Sequence, residues 1–190
     1  MDSVTMMKRV VAQTGVVVDG IADDQLSAPT PCSDWSVRDV INHITGGATM
    51  FAECVDQGSV PDDRLGQLVA GDNLGDDYKA SFHAAADHAV ASFDAPGALD
   101  KMVTLPFGQM PAGVALNLAV FDVTTHACDL ARATGQKVDD EELLETALAV
   151  GQQMIGPDMR QSGLFGPEQP APAGASAADR LLAFAGRTVS

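Results

Sequence analysis

AGVALNLAVFDVTTHACDLARATG, residues 112–135, is the stretch on which the fold turns. From Ala112 to Val123 it is apolar almost all round, interrupted by Asn117 and Asp122. A helix without a polar face belongs in the middle of a core. The apolar window 113–123 is too short to cross a bilayer. Pro111 suits a first-turn position and Gly135 a C-terminal cap, so the helix runs from about Pro111 to Thr134. Such a helix needs amphipathic neighbours around it.

The flanking sequence supplies them. Val4, Met7, Val11, Thr14, Val18 and Ile21 fall three and four apart, one buried stripe of a helix over 4–21. Ser36 and Asp39 form a capping box, with Trp35 and Val40 as a hydrophobic staple. They start a helix over 36–57 with Val37, Val40, Ile41, Ile44, Ala48, Phe51 and Val55 inward. His43 lies on the flank of that stripe, with Gly46 and Gly47 leaving space beside it. Tyr78, Phe82, Ala85, Ala89 and Phe93 give the inner face of a helix over 76–94. A further helix starts at Asp139, with Glu142 as its acid and Val138 and Leu143 as a staple. Residues 22–35, 56–75 and 156–175 read as loops, 101–110 can form a short hairpin about Gly108, and 177–185 is a short C-terminal helix. The expectation is an all-α chain: a four-helix bundle over about 1–155 with a C-terminal helical extension, 156–190, all in one domain of 190 residues.

Composition narrows the function. Hydrophobic residues make up 46% and aromatic ones 5%, so the core is built from aliphatic side chains that suit packed helices. The formal charge of -15 repels a phosphate backbone and an anionic lipid surface, so neither nucleic acid nor a membrane is an expected partner. Cys32, Cys54 and Cys128 make an odd number with no CxxC pair, which suits a reducing compartment. The first residues, MDSVTMMKRVVAQTG, lack a cleavable signal, so a cytoplasmic protein is expected.

Chemistry concentrates on the central helix. Asp122, Thr125, His126 and Asp129 fall at i, i+3, i+4 and i+7 and form one polar strip on an apolar background. A buried carboxylate costs several kcal/mol unless it is paired, hydrogen-bonded or metal-bound. No Lys or Arg lies within four residues of Asp122. The strip therefore reads either as a divalent metal site on Asp122 and His126 or as a hydrogen-bonded or ion-paired core histidine. The spacing does not choose, since Asp39/His43 and His83/Asp87 share it. Asp39 already serves as a capping acid, and His83 and His88 fall off the inner face of their helix. Asp129 can orient His126 or pair with Arg132 on the surface. Cys32 reads as a packed loop cysteine before it reads as a reactive thiol. Cys128, two residues after His126, points away from the strip.

The segments TPCSDWSVRDVINHI (30–44) and FDVTTHACDLARATGQ (121–136) resemble the DinB/YfiT-like superfamily, in particular its mycothiol-dependent maleylpyruvate isomerase-type metal-binding domains. The resemblance covers most of 1–155. It implies a four-helix bundle with extra elements and one zinc or nickel ion held by His43, Asp122 and His126. That family usually carries Glu where this chain has the shorter Asp122, and members with thiol-transfer chemistry often carry a further C-terminal domain. The resemblance implies two functions. One is a metal-dependent enzyme that uses mycothiol or a similar low-molecular-weight thiol on a small organic substrate, by thiol transfer or isomerisation. Three protein ligands would leave a position open for that chemistry. The other is a non-catalytic metal-binding bundle with a regulatory or structural role, as a homodimer.

Overall fold

The computed structural model describes residues 2–161 and 165–189. Four long helices form the bundle: α1 (Ser3–Asp19), α2 (Val37–Gln57), α4 (Tyr78–Asp94) and α5 (Ala112–Ala133). They close a ring in which α1 touches α4 and α5, and α2 touches the same two. Between them lie the short α3 (Asp62–Ala70) and a hairpin of β1 (Met102–Leu105) and β2 (Gly108–Pro111), paired antiparallel from Met102↔Pro111 to Leu105↔Gly108. Gly108 takes a φ of 131° at the turn, a conformation open to glycine. Then come α6 (Glu141–Met154), α7 (Pro157–Gln161) and α8 (Ala177–Phe184). Helices α6 and α8 pack on α5 and on each other, adding a second layer over it. Among the described residues no helix is long and apolar enough to cross a membrane.

The mostly helical fold, its four long helices and the hairpin follow the sequence reading. The Ser36 box forms as expected: Ser36 Oγ accepts from Asp39 N–H, and the Asp39 carboxylate accepts from Ser36 N–H. Gly58, at φ 88°, closes α2. Three boundaries differ. The first helix stops at Asp19, where Gly20 caps it, and not at Ile21. The cap of α6 is Asp140, whose side chain accepts from Leu143 N–H, one residue later than the Asp139 expectation. The loop expected over 56–75 contains α3. Asp62 and Asp63 sit in its first turn, where carboxylates oppose the helix dipole favourably. Leu68 is its buried contact with the bundle. Asp, Gly and Pro at both ends of this nine-residue helix hide it in the composition. The stretch 156–175 likewise contains the short α7, and its residues 162–164 lie outside the described ones.

The core divides along the bundle axis. One cluster gathers Met6, Val10, Phe51, Phe93, Leu116 and Val120. The other gathers Ile21, Ile41, Ile44, Phe82, Phe121, Leu130 and Leu181. Burying each large apolar side chain stabilises the fold by about 1.5–3 kcal/mol. Phe121 anchors the second cluster at 1% exposure, its ring edge-on to those of Phe165 and Phe184. That packing fixes the helical phase of α5, and the next residue is Asp122.

Candidate metal centre

The contact of α2 with α5 brings His43 opposite Asp122 and His126. Between helices that lie side by side, i and i+4 on one meet a flank residue of the other. His43 Nε2 lies 3.2 Å from Asp122 Oδ2 and 3.5 Å from Oδ1. His126 Nε2 lies 3.5 Å from Asp122 Oδ1. One ligand atom from each of the three falls within 4.8 Å of the other two. The His126 ring is buried, whereas the Asp122 and His43 side chains keep 30% and 38% of their surface. Burial favours the neutral acid of Asp122, but His43 and His126 reverse this and hold the carboxyl well below its usual range. Burial alone would lower the His43 pKa, yet the Asp122 carboxylate beside it moves the net direction upward.

Behind His126 lies a second layer. Its Nδ1 is 3.0 Å from Asp129 Oδ2, and Asp129 is fully buried. An ionised carboxylate can only accept, so the proton of a neutral His126 sits on Nδ1 and Nε2 presents its lone pair. Asp129 also accepts from Arg187, with Nη2 at 2.8 Å and Nε at 3.3 Å. The guanidinium reaches it from just beyond α8. Of the two roles open to Asp129, the structure shows the contact with His126. Arg132 pairs with Asp179. Trp35 does not act merely as a staple. Its ring centroid is 4.8 Å from that of His43 and 5.6 Å from that of His126, stacked on the latter at 22°.

A cavity of about 310 Å³ opens beside the three donors. Trp35, Phe51, Phe107, Phe121, Met159 and Phe165 are among its apolar lining. Cys32 is half-buried in the same wall. Burial pushes its thiol pKa up, partly opposed by Arg187. Cys32, His126 and Asp129 also converge as potential ligands, but there the imidazole Nδ1 and the carboxylate are already bonded to each other. Cys128 is buried away from the donors, and burial pushes its thiol to about 12. Only one of the two expected glycines leaves room. A Cβ at Gly47 would meet nothing within 4 Å, whereas at Gly46 it would lie 2.3 Å from the Leu68 carbonyl oxygen. His83 and His88 pair on the surface with Asp19 and Asp56, each at 2.9 Å.

Sequence reasoning did not find Arg187 or the stacking of Trp35. The demand for a cation beside Asp129 was visible, since it lies one turn from His126 in a buried helix. The position of its partner, 58 residues on, was not.

The donor chemistry suits a divalent ion. With its proton on Nδ1, the Nε2 of His126 turns a lone pair toward Asp122 Oδ1, an arrangement that a shared cation satisfies. Two imidazoles and one carboxylate are ligands that zinc and nickel accept.

A family model described as the mycothiol maleylpyruvate isomerase N-terminal domain matches residues 8–131. Two uncharacterized proteins, from two strains of Mycobacterium tuberculosis, are each 37% identical over 191 residues, an alignment that takes in 100% of this chain and 100% of theirs. Two crystal structures of the mycothiol-dependent maleylpyruvate isomerase superpose on the chain. A histidine-to-alanine variant gives a TM-score of 0.69 at 14% identity, covering 85% of this chain and 71% of that one. Another structure of the isomerase gives 0.68 at 15% identity with the same coverage. At such identities the likeness is one of fold.

Proposed function

The chain belongs to the mycothiol maleylpyruvate isomerase N-terminal domain family, and from that premise we propose a metal-dependent enzyme that uses mycothiol or a similar low-molecular-weight thiol on a small organic substrate. His43, Asp122 and His126 hold one divalent ion, zinc or nickel. We take 1–190 as a single metal-binding unit, because α6 and α8 pack on α5 and Arg187 reaches the layer behind the donors. A cytoplasmic setting fits a reduced thiol as cosubstrate.

One observation carries this reading: Nε2 of His43 and Nε2 of His126 converge on the Asp122 carboxylate beside an open cavity. When bound, a divalent ion supplies the positive charge that favours a thiolate over a thiol. The chain's own residues do the rest. Asp122 provides the charge that draws the ion, and the two imidazoles complete a three-donor set with room for a further ligand. Trp35 covers one side of the imidazoles and excludes water there. The phenylalanines of the cavity favour the apolar part of a substrate. The competing function, a non-catalytic bundle, would suit a site plugged by side chains. The cavity supports the catalytic one.

Metal analysis of the purified protein tests the proposal, followed by a thiol-consumption screen with mycothiol. One divalent ion per chain is expected. His126→Ala should abolish binding, while His43→Ala and Asp122→Asn should weaken it severely. Stoichiometric metal in all three variants after dialysis against a mild chelator would put the site elsewhere. A wild-type protein that takes up no divalent ion would reduce the strip to a polar core network.

A further inference from the structure

The C-terminal segment ends inside the site. After α8, Gly186 takes a φ of 93°, and a Cβ there would come within 3.1 Å of the Gly166 backbone. The chain can therefore turn tightly against the 165–166 loop. Arg187 emerges from this turn with 12% of its side chain exposed. Its Nη1 donates to Ala185 O at 2.8 Å, and its Nη2 and Nε reach the Asp129 carboxylate. Leu181 and Leu182 of α8 are buried at 0% and 1% exposure and hold the segment down. Asp129 is fully buried, does not line the cavity beside the donors and is not one of the three donors. It has two jobs in view: to neutralise Arg187 and to hold Nδ1 of His126.

We infer that Asp129 and Arg187 are positioning residues, through which the C-terminal segment sets the tautomer and aim of His126. The inference rests on the metal site proposed above and assigns the control of its affinity. The planar guanidinium contacts both carboxylate oxygens and so fixes the plane of Asp129. Asp129 in turn keeps the imidazole proton on Nδ1, which leaves Nε2 as the donor. Without the guanidinium, Asp129 keeps only its contact with His126 Nδ1 among the described residues, and the plane of the pair is no longer fixed from outside. With a carboxamide at 129, the amide NH₂ can face Nδ1 and force the proton onto Nε2, the atom that must bind. Outer partners of a metal-bound histidine are commonly worth about 10–100-fold in affinity.

The test uses the full chain and nickel ions, read by quenching of Trp35. It is the chain's one tryptophan and lies against both imidazoles. Nitrogen-15 NMR of His126 in the metal-free protein gives the tautomer independently. R187A and D129N should each weaken nickel binding by about 10–100-fold and shift His126 away from the pure Nδ1–H form. R187K should recover part of the loss, because an ammonium supplies charge without the fork. F93L thins the other core cluster, in α4, away from both the site and the C-terminal segment. It should lower the melting temperature and leave affinity and tautomer unchanged. Wild-type affinity and tautomer in R187A and D129N would overturn the inference. So would an affinity loss in F93L equal to that in R187A, which would make the effect one of overall stability. If the wild type binds no nickel, the metal site is lost but the inference about His126 is still decided, since the tautomer in wild type and R187A is read without metal.

Discussion

Gly46 and Gly47 are neighbours on one helix, yet alanine at the two positions should change stability in opposite directions. Both lie in the interior of α2, where glycine costs about 0.5–1 kcal/mol relative to alanine. That gain is common to both variants. The surroundings differ. At Gly47 the new methyl meets nothing within 4 Å and stands in the cavity wall. Gly47→Ala should therefore keep the whole gain and raise the melting temperature by about 1–4 °C, at about 2–4 °C per kcal/mol for a chain of this size. At Gly46 the methyl would stand 2.3 Å from the backbone oxygen of Leu68 and 2.6 Å from Asn73 Nδ2. Those two atoms are hydrogen-bonded to each other at 3.0 Å, so the obstacle is a fixed piece of backbone with its partner.

Overpacking against an obstacle of that kind costs about 1–3 kcal/mol, and here the upper part of the range applies because helix α3 must shift as a body. After the propensity gain, Gly46→Ala should be destabilised by about 1–2 kcal/mol, a fall of about 2–8 °C. The assay is thermal denaturation of wild type and both variants, followed by circular dichroism. The difference between the two variants is the quantity of interest, because propensity cancels in it. Equal stabilisation of both would refute the reasoning and would mean that α3 does not press on α2 at Gly46. Nickel affinity of Gly47→Ala should stay close to wild type, since the methyl narrows the cavity without touching a donor.

Gly151→Ala should also destabilise, by about 1–2 kcal/mol, because its Cβ would lie 2.3 Å from the Phe121 ring and 3.0 Å from that of Phe184; a raised melting temperature would contradict the packing of α6 on α5. The double variant His83→Ala/His88→Ala should keep full metal content on elemental analysis, as both imidazoles sit on surface aspartates. Acid stability should depend on Asp140: burial opposes its ionisation, but the Arg9 guanidinium outweighs this and lowers its pKa. A lowered folded-state pKa contributes stability that is present above the unfolded value, about 3.9, and is lost as pH falls through the folded one. Asp140→Asn should therefore flatten the acid limb of a stability–pH profile and leave its slope above pH ~6 unchanged; an unaltered acid limb would remove Asp140 from that role.

The elements that were legible in the sequence are those whose cause lies within one element. The capping box at Ser36, the all-round apolar character of α5 and the i, i+4 pair of Asp122 and His126 are local patterns, and local patterns survive into the fold. The same locality explains what was hidden. Trp35 fits a staple by position, but its ring is placed by two helices together, and its stacking on His126 depends on a helix that begins 77 residues after it and that no cap pattern reports. For Asp129 the local rule offered Arg132, three residues on, and the structure gives that arginine to Asp179. The reason is burial. Asp129 is at 0% exposure on the covered side of α5, and Arg132 is close enough to the surface to find a carboxylate there. A buried charge demands a partner, but sequence spacing shows only the partners on its own helix. The missing one had to come from an element that packs over the same face. The apolar C-terminal helix, expected from Leu181, Leu182 and Phe184, was such an element, and an arginine lies within three residues of its end. Matching a buried carboxylate to the cations that flank the helices able to cover it is thus a search that sequence permits. Here it leads to Arg187, and through Asp129 to the histidine on which the candidate metal centre depends.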